Sequence, residues 1–155
     1  MKSSRRPRYW RMQLHPDQSD LASFYTVQSI AAGFIGLDCS YDVGDLFRTT
    51  REALPEKQRD YWEFAHSMGK GDLVLFICHH FPFALVKVAG DYNYIRKPVP
   101  EIGVWFRHFR RITDVRYYAD HVTNSASWKQ IKMTDTISPL KDSHSESWRL
   151  IESWR

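Results

Sequence analysis

The stretch Gly71 to Tyr94, GDLVLFICHHFPFALVKVAGDYNY, decides how this chain folds. Its first arm, Asp72 to Cys78, is apolar at both parities, with Leu73, Leu75 and Ile77 on one side and Val74, Phe76 and Cys78 on the other. A strand has this pattern when both of its faces are buried. Phe83 to Val88 brings Leu85, Val86 and Val88 back as an antiparallel partner, around a tip of His79-His80-Phe81-Pro82. The stretch therefore reads as a hairpin at the centre of a small, closed or nearly closed sheet. Beyond it, Gly90-Asp91-Tyr92-Asn93-Tyr94 places two rings in a turn of Gly, Asp and Asn, where packing alone does not demand them.

Working outward toward the N-terminus, Arg8 to Leu14 alternates as a strand, with Trp10, Met12 and Leu14 at one parity, and ends at His15-Pro16. Asp17 or Ser19 can cap a helix that carries Leu21, Phe24, Tyr25, Val27 and Ile30 and stops at Gly33. A short strand follows at Phe34 to Asp38, then a weak helical turn or two within Asp45 to Leu54. After Pro55, the spacing of Tyr61, Phe64, Ala65 and Met68 predicts a helix with one apolar face.

On the C-terminal side, Pro98 and Pro100 mark a loop, and Ile102 to Thr113 reads as a long strand. Ile102, Val104, Phe106 and Ile112 are expected to face the core, while Trp105, Arg107, Phe109 and Arg111 share the other face. A polar segment near Trp128 opens a short helix, Thr136 to Leu140 is a connector, and Ser143 to Trp154 is a closing helix with Trp148, Ile151 and Trp154 on one side. The order predicts an α+β domain with a mixed sheet and helices outside it.

A length of 155 residues sets the expectation of one domain, 8–155, behind a flexible basic arm at 1–7. An aromatic share of 15% with 6 Trp is high and asks where the rings go. The formal charge is only +4, yet Arg5, Arg6, Arg8 and Arg11 cluster, as do Arg107, Arg110 and Arg111, and such clusters are what a polyanion meets. There is no membrane-length apolar run and no signal-peptide core after the basic N-terminus, so the expected location is cytoplasmic. In that compartment Cys39 and Cys78 read as buried thiols.

Several of these segments together resemble a known family. Tyr9-Trp10-Arg11-Met12 with His15-Pro16 is similar to the opening strand of EVE domains. Gly33 to Asp38, the Lys70-Gly71-Asp72 turn, and Gly90 to Tyr94 ahead of a Val-Trp-Phe strand resemble the EVE-like specificity domains of modification-dependent restriction systems. YTH domains share the plan as far as the terminal helix. The resemblance implies a PUA-like mixed β-barrel flanked by helices, which holds one extruded, modified nucleobase in an aromatic cage and grips the flanking backbone with basic groups. It implies no cofactor and no catalysis, and a nuclease or NTPase as a fused or associated partner. Where relatives often carry a cage Trp in the second strand, this chain has Phe34 and Leu37.

A base is inspected on all its edges only after leaving the stack, and protein rings must replace the lost stacking. The expected base-binding set is Trp10, Phe34, Leu37, Asp38, Tyr92, Asn93 and Tyr94, although Trp10 shares parity with Met12 and can equally be core. The expected backbone-binding set is Arg8, Arg11, His79, His80, Arg107, Arg110 and Arg111, with a solubilising tail and a solvated strand face as the plainer readings. No second His/Cys pair stands at metal-ligand spacing to join Cys78 and His80. The expected function is recognition of methylated cytosine or N6-methyladenine in DNA by base flipping. The alternatives are a reader of modified RNA, or an ASCH-like hydrolase of a modified nucleoside using Lys70, Asp72 or Glu63.

Overall fold

The computed structural model describes residues 6–13, 24, 27–38, 41–78, 81–102, 104, 106–118 and 136–154. Their architecture is α+β. Strands β1 (Tyr9–Gln13), β2 (Phe34–Leu37), β3 (Leu73–Cys78), β4 (Phe81–Val88), β5 (Asn93–Tyr94), β6 (His108–Tyr117) and β7 (Ile137–Leu140) form one mixed sheet. Its order is β2-β6-β4-β3-β1-β7, with β5 also on β6. Only the β1–β3 pairing is parallel.

The hairpin is where the sequence places it, Leu75 opposite Leu85 and Val74 opposite Val86, at the centre of the strand order. Both faces are covered. Trp10, Met12, Val74, Phe76, Val86 and Ile137 enter the main core, whereas Tyr9, Leu75, Ile77 and Leu85 pack with Tyr118, Ile151 and Trp154. The second group lies under the terminal helix Glu146–Trp154, whose Trp148 ring leans on Tyr9 with centroids 4.6 Å apart.

The sheet curls into a half-barrel through β6. The first residues of β6 pair with β2 and β5, its last with β4, and the β4 register shifts between Leu85 and Lys87. At the same level Asp114 has φ 53°, the left-handed conformation that lets a bulge turn the strand. Inside the curve, the 3-10 turn Glu56–Tyr61 buries Tyr61 and the helix Trp62–His66 buries Phe64 and Ala65, while Met68, expected on the same helix face, is buried two residues beyond the helix. Short 3-10 turns at Leu46–Arg48 and Arg51–Ala53 bridge β2 to this helix.

The structure corrects three expectations. The long strand starts at His108 rather than Ile102, because Pro100–Ile102 forms a 3-10 turn that leaves Ile102 68% exposed. The Thr136–Leu140 connector contains β7, an edge strand against β1, where Pro139 is tolerated because a sheet's edge needs no outward N–H. The helix before Gly33 is helical at 27–31 and buries Ile30, but Phe24 and Val27 are exposed. Leu14 to Pro16, both caps, Leu21, Tyr25, Cys39, Trp105 and Trp128 lie outside the described residues.

Candidate nucleic-acid interface

Cross-strand register gathers one end of the sheet into a site. His108 on β6 is opposite Leu37 of β2 on one side and Tyr94 of β5 on the other, so these three form a row and share a face. Tyr94 accordingly stacks on His108, ring centroids 5.3 Å apart at 29°. The next row is Gly36, Phe109 and Asn93. A Cβ on Gly36 would meet the His108 carbonyl at 2.5 Å and the Phe106 side chain at 2.8 Å, so only glycine lets β2 lie this close.

Just past β2, Asp38 Oδ1 accepts the Arg107 backbone N–H at 3.2 Å and lies 3.5 Å from the same residue's guanidinium. Arg107 Nε donates to the Arg96 carbonyl at 3.2 Å, which fixes the guanidinium across the gap between strands. The Tyr94 hydroxyl donates to Asp42 Oδ1 at 2.6 Å. Asp42 also turns back to accept the Gly44 N–H at 3.0 Å, so its carboxylate is aimed from a local turn.

Charge at this end is set by burial and by those bonds. Burial raises the Asp38 carboxyl above its usual value despite the lowering from Arg107. The Tyr94 hydrogen bond holds Asp42 below its usual value, and the same bond raises the Tyr94 hydroxyl. Burial lowers His108 to about 4, so its imidazole is neutral at pH 7. Its Nδ1 meets the Tyr92 hydroxyl at 2.6 Å, while Nε2 is buried with no hydrogen-bond partner among the described residues. Tyr41 and Phe47, 55% and 53% exposed, flank Asp42 in the chain.

The structure therefore brings Leu37, Asp38, Tyr94 and Arg107 together at the start of β6, whereas Phe34, Asn93 and Arg111 lie on the opposite face of the sheet. Phe34 packs edge-on against Phe109, centroids 5.7 Å apart, and Arg111 sits outward on β6 opposite Phe34. Leu37 is buried in the main core. Asp42 and His108 belong to the cluster but stood outside the expected set. A polar His108 in phase with Phe106 and Ile112 was the available signal for one, and nothing local marked the other.

Trp10, Tyr92 and Arg110 are otherwise engaged. Trp10 is 1% exposed and donates its Nε1–H to Asp72 Oδ2 at 2.9 Å, so it presents no free face. That same carboxylate takes the Gly69 and Arg8 N–H groups, which makes the Lys-Gly-Asp turn a clasp between β1 and β3. Tyr92 is buried between Phe47 and Phe64 instead of standing in an exposed turn. Arg110 is 3% exposed, with its guanidinium on the carbonyls of Phe64, Ala65, Met68 and Gly90, out of reach of a phosphate.

Arg8 immediately precedes β1 and Arg11 lies on it, with β4 and β3 between it and β6. Arg11 is half-buried, its guanidinium 3.4 Å from Ser147 Oγ. His79 and His80 lie outside the described residues. Of the groups a hydrolase could use, Lys70 pairs with Asp91 at 3.5 Å, and Glu63 with Arg51 at 3.4 Å. Among the described residues no three His, Cys, Asp or Glu side chains gather as a metal site, and no helix is long and apolar enough to cross a membrane. No protein-family model matches the chain, and no curated protein matches it in sequence. The fold and site thus define an α+β half-barrel with a polar, ring-lined end.

Proposed function

We propose that the chain is a PUA-like, EVE- or YTH-type domain that recognises a modified nucleobase, in DNA first and in RNA as the nearer alternative. The observation that supports this most is the meeting of Asp38, Tyr94 and Arg107 at one end of the β2–β6–β5 row. It supplies a carboxyl, a half-buried ring and a cation side by side. An extruded base needs a ring to replace its lost stack, a hydrogen-bonding group for its Watson–Crick edge, and a cation for the flanking phosphate.

In this reading Tyr94 stacks on the base, Asp38 reads its edge and Arg107 holds the backbone, while Phe34, Asn93 and Arg111 lie on the opposite face of the sheet. Because burial raises Asp38, its carboxyl is poised to accept from an amino group or to donate when protonated. Trp10, Tyr92 and Arg110 support the scaffold. In a restriction system such a domain works beside a nuclease or NTPase.

The test is a set of fluorescent oligonucleotides, DNA and RNA, carrying 5-methylcytosine, 5-hydroxymethylcytosine, N6-methyladenine or no modification. One modified strand should bind more tightly than its unmodified copy. Equal affinity for every strand removes the reader function. Salt provides the companion measurement, since contact with a polyanion weakens steeply as salt rises and contact with a neutral protein partner does not.

A further inference from the structure

At the far end of the strand order from Asp38, β1 and the edge strand β7 border a cleft of about 560 Å³. Arg6, Arg8, Lys141, Glu63 and Trp148 line it. Arg8 is fixed there, its backbone N–H on Asp72 Oδ1 at 3.1 Å and its guanidinium on the Ser67 carbonyl at 3.3 Å. Arg6 and Lys141 are exposed, and Trp148 is half-buried with its ring on Tyr9. Glu63 also pairs with Arg51, so its charge is shared with a cation beyond this lining, and the cleft remains positive.

The volume falls within the roughly 300–1,000 Å³ of small-molecule sites, far more than a lone phosphate fills. Three cations alone would suit any anion. The indole in the wall selects among anions for one that carries a flat ring. We propose that this cleft binds a nucleotide, its phosphate on Arg6, Arg8 and Lys141 and its base against Trp148. Either a free mononucleotide or one nucleotide of a strand supplies that chemistry. The assignment stands apart from base recognition at Asp38, because it uses none of that site's residues.

The experiment follows the tryptophan indole N–H signals of the full chain by NMR during titration with AMP, adenosine, inorganic phosphate and a short unmodified oligonucleotide. AMP should shift the Trp148 signal, identified by its loss in Trp148→Phe. Adenosine and phosphate should each bind about tenfold more weakly, since each lacks a contact worth roughly one decade in affinity. Lys141→Glu should weaken AMP by a similar factor, whereas Lys87→Glu on β4 should leave it unchanged. Saturation by the oligonucleotide but not by AMP assigns the nucleotide to a strand and upholds the site.

The proposal is overturned by a Trp148 signal that no ligand shifts, by adenosine shifting it as tightly as AMP does, or by equal effects of Lys141→Glu and Lys87→Glu. If Trp148→Phe does not fold, the Lys141→Glu and Lys87→Glu affinities decide alone.

Discussion

The Tyr92 hydroxyl joins His108 Nδ1, 2.6 Å away on β6, to the backbone N–H of Leu46, 3.0 Å away in the turn that crosses the barrel mouth. One oxygen therefore ties the Leu46–Arg48 turn to the sheet. Tyr92→Phe keeps the ring in its packing against Phe47 and Phe64 but leaves a buried N–H without its acceptor. The expected loss is about 1–3 kcal/mol of unfolding free energy, read by urea denaturation. A change under about 0.5 kcal/mol, usual for a surface position, would show the bridge to be idle.

His108 carries a pH dependence with a definite sign. Its ordinary value of 6.5 falls to about 4 in the fold because burial penalises the imidazolium. The unfolded chain thus binds the proton more readily. The stability from keeping His108 neutral is complete above about pH 6.5, drains away as pH falls toward about 4, and changes no further below that. The difference corresponds to about 3 kcal/mol. His108→Asn should flatten the stability profile over that window, and a variant as steep as the parent would assign the dependence to other groups.

Much of the fold was legible because it rests on local pattern. The two-faced apolar run Leu73–Cys78 reads as a central strand and is one, and Tyr61, Phe64, Ala65 and Met68 are all buried as the helical spacing expects, although the α-helix covers only Trp62–His66. Of the expected residues, Phe34, Asp38, Asn93 and Tyr94 were singled out because they flank turns, whereas Tyr92 looked the same locally and is buried through a hydroxyl bond to a residue 16 positions away. Arg110 shares parity with Ile112, but its charge put it in the expected backbone-binding set, and the structure buries it. β7 was missed because Ser138 and Pro139 carry no strand signal, and its pairing with β1 spans almost the whole chain.

Arg110 gives the next prediction. Its guanidinium donates to Phe64 O at 2.9 Å and Met68 O at 2.8 Å, with longer bonds to Gly90 O and Ala65 O. The Phe64, Ala65 and Met68 carbonyls sit at the end of the Trp62–His66 helix, where intrahelical partners run out. Arg110→Met should cost about 3 kcal/mol or more, and Arg110→Lys should recover little, because a single ammonium cannot reproduce the fork. The folded protein should bind oligonucleotides unchanged. Lost binding without lost stability would return Arg110 to the interface.

Tyr94 separates stacking from hydrogen bonding at the proposed base site. Tyr94→Phe keeps the ring over His108 and removes the hydroxyl from Asp42, while Tyr94→Ala removes both. If the ring is the wall on which a base stacks, Tyr94→Ala should erode discrimination between modified and unmodified strands by about 1–3 kcal/mol, and Tyr94→Phe should keep most of it. Arg107→Ala should instead weaken all strands alike and reduce the salt slope, because a phosphate contact carries no sequence information. Equal losses from Tyr94→Phe and Tyr94→Ala would place the discrimination in the Tyr94–Asp42 hydrogen bond, and the ring would then be only the arm that carries the hydroxyl.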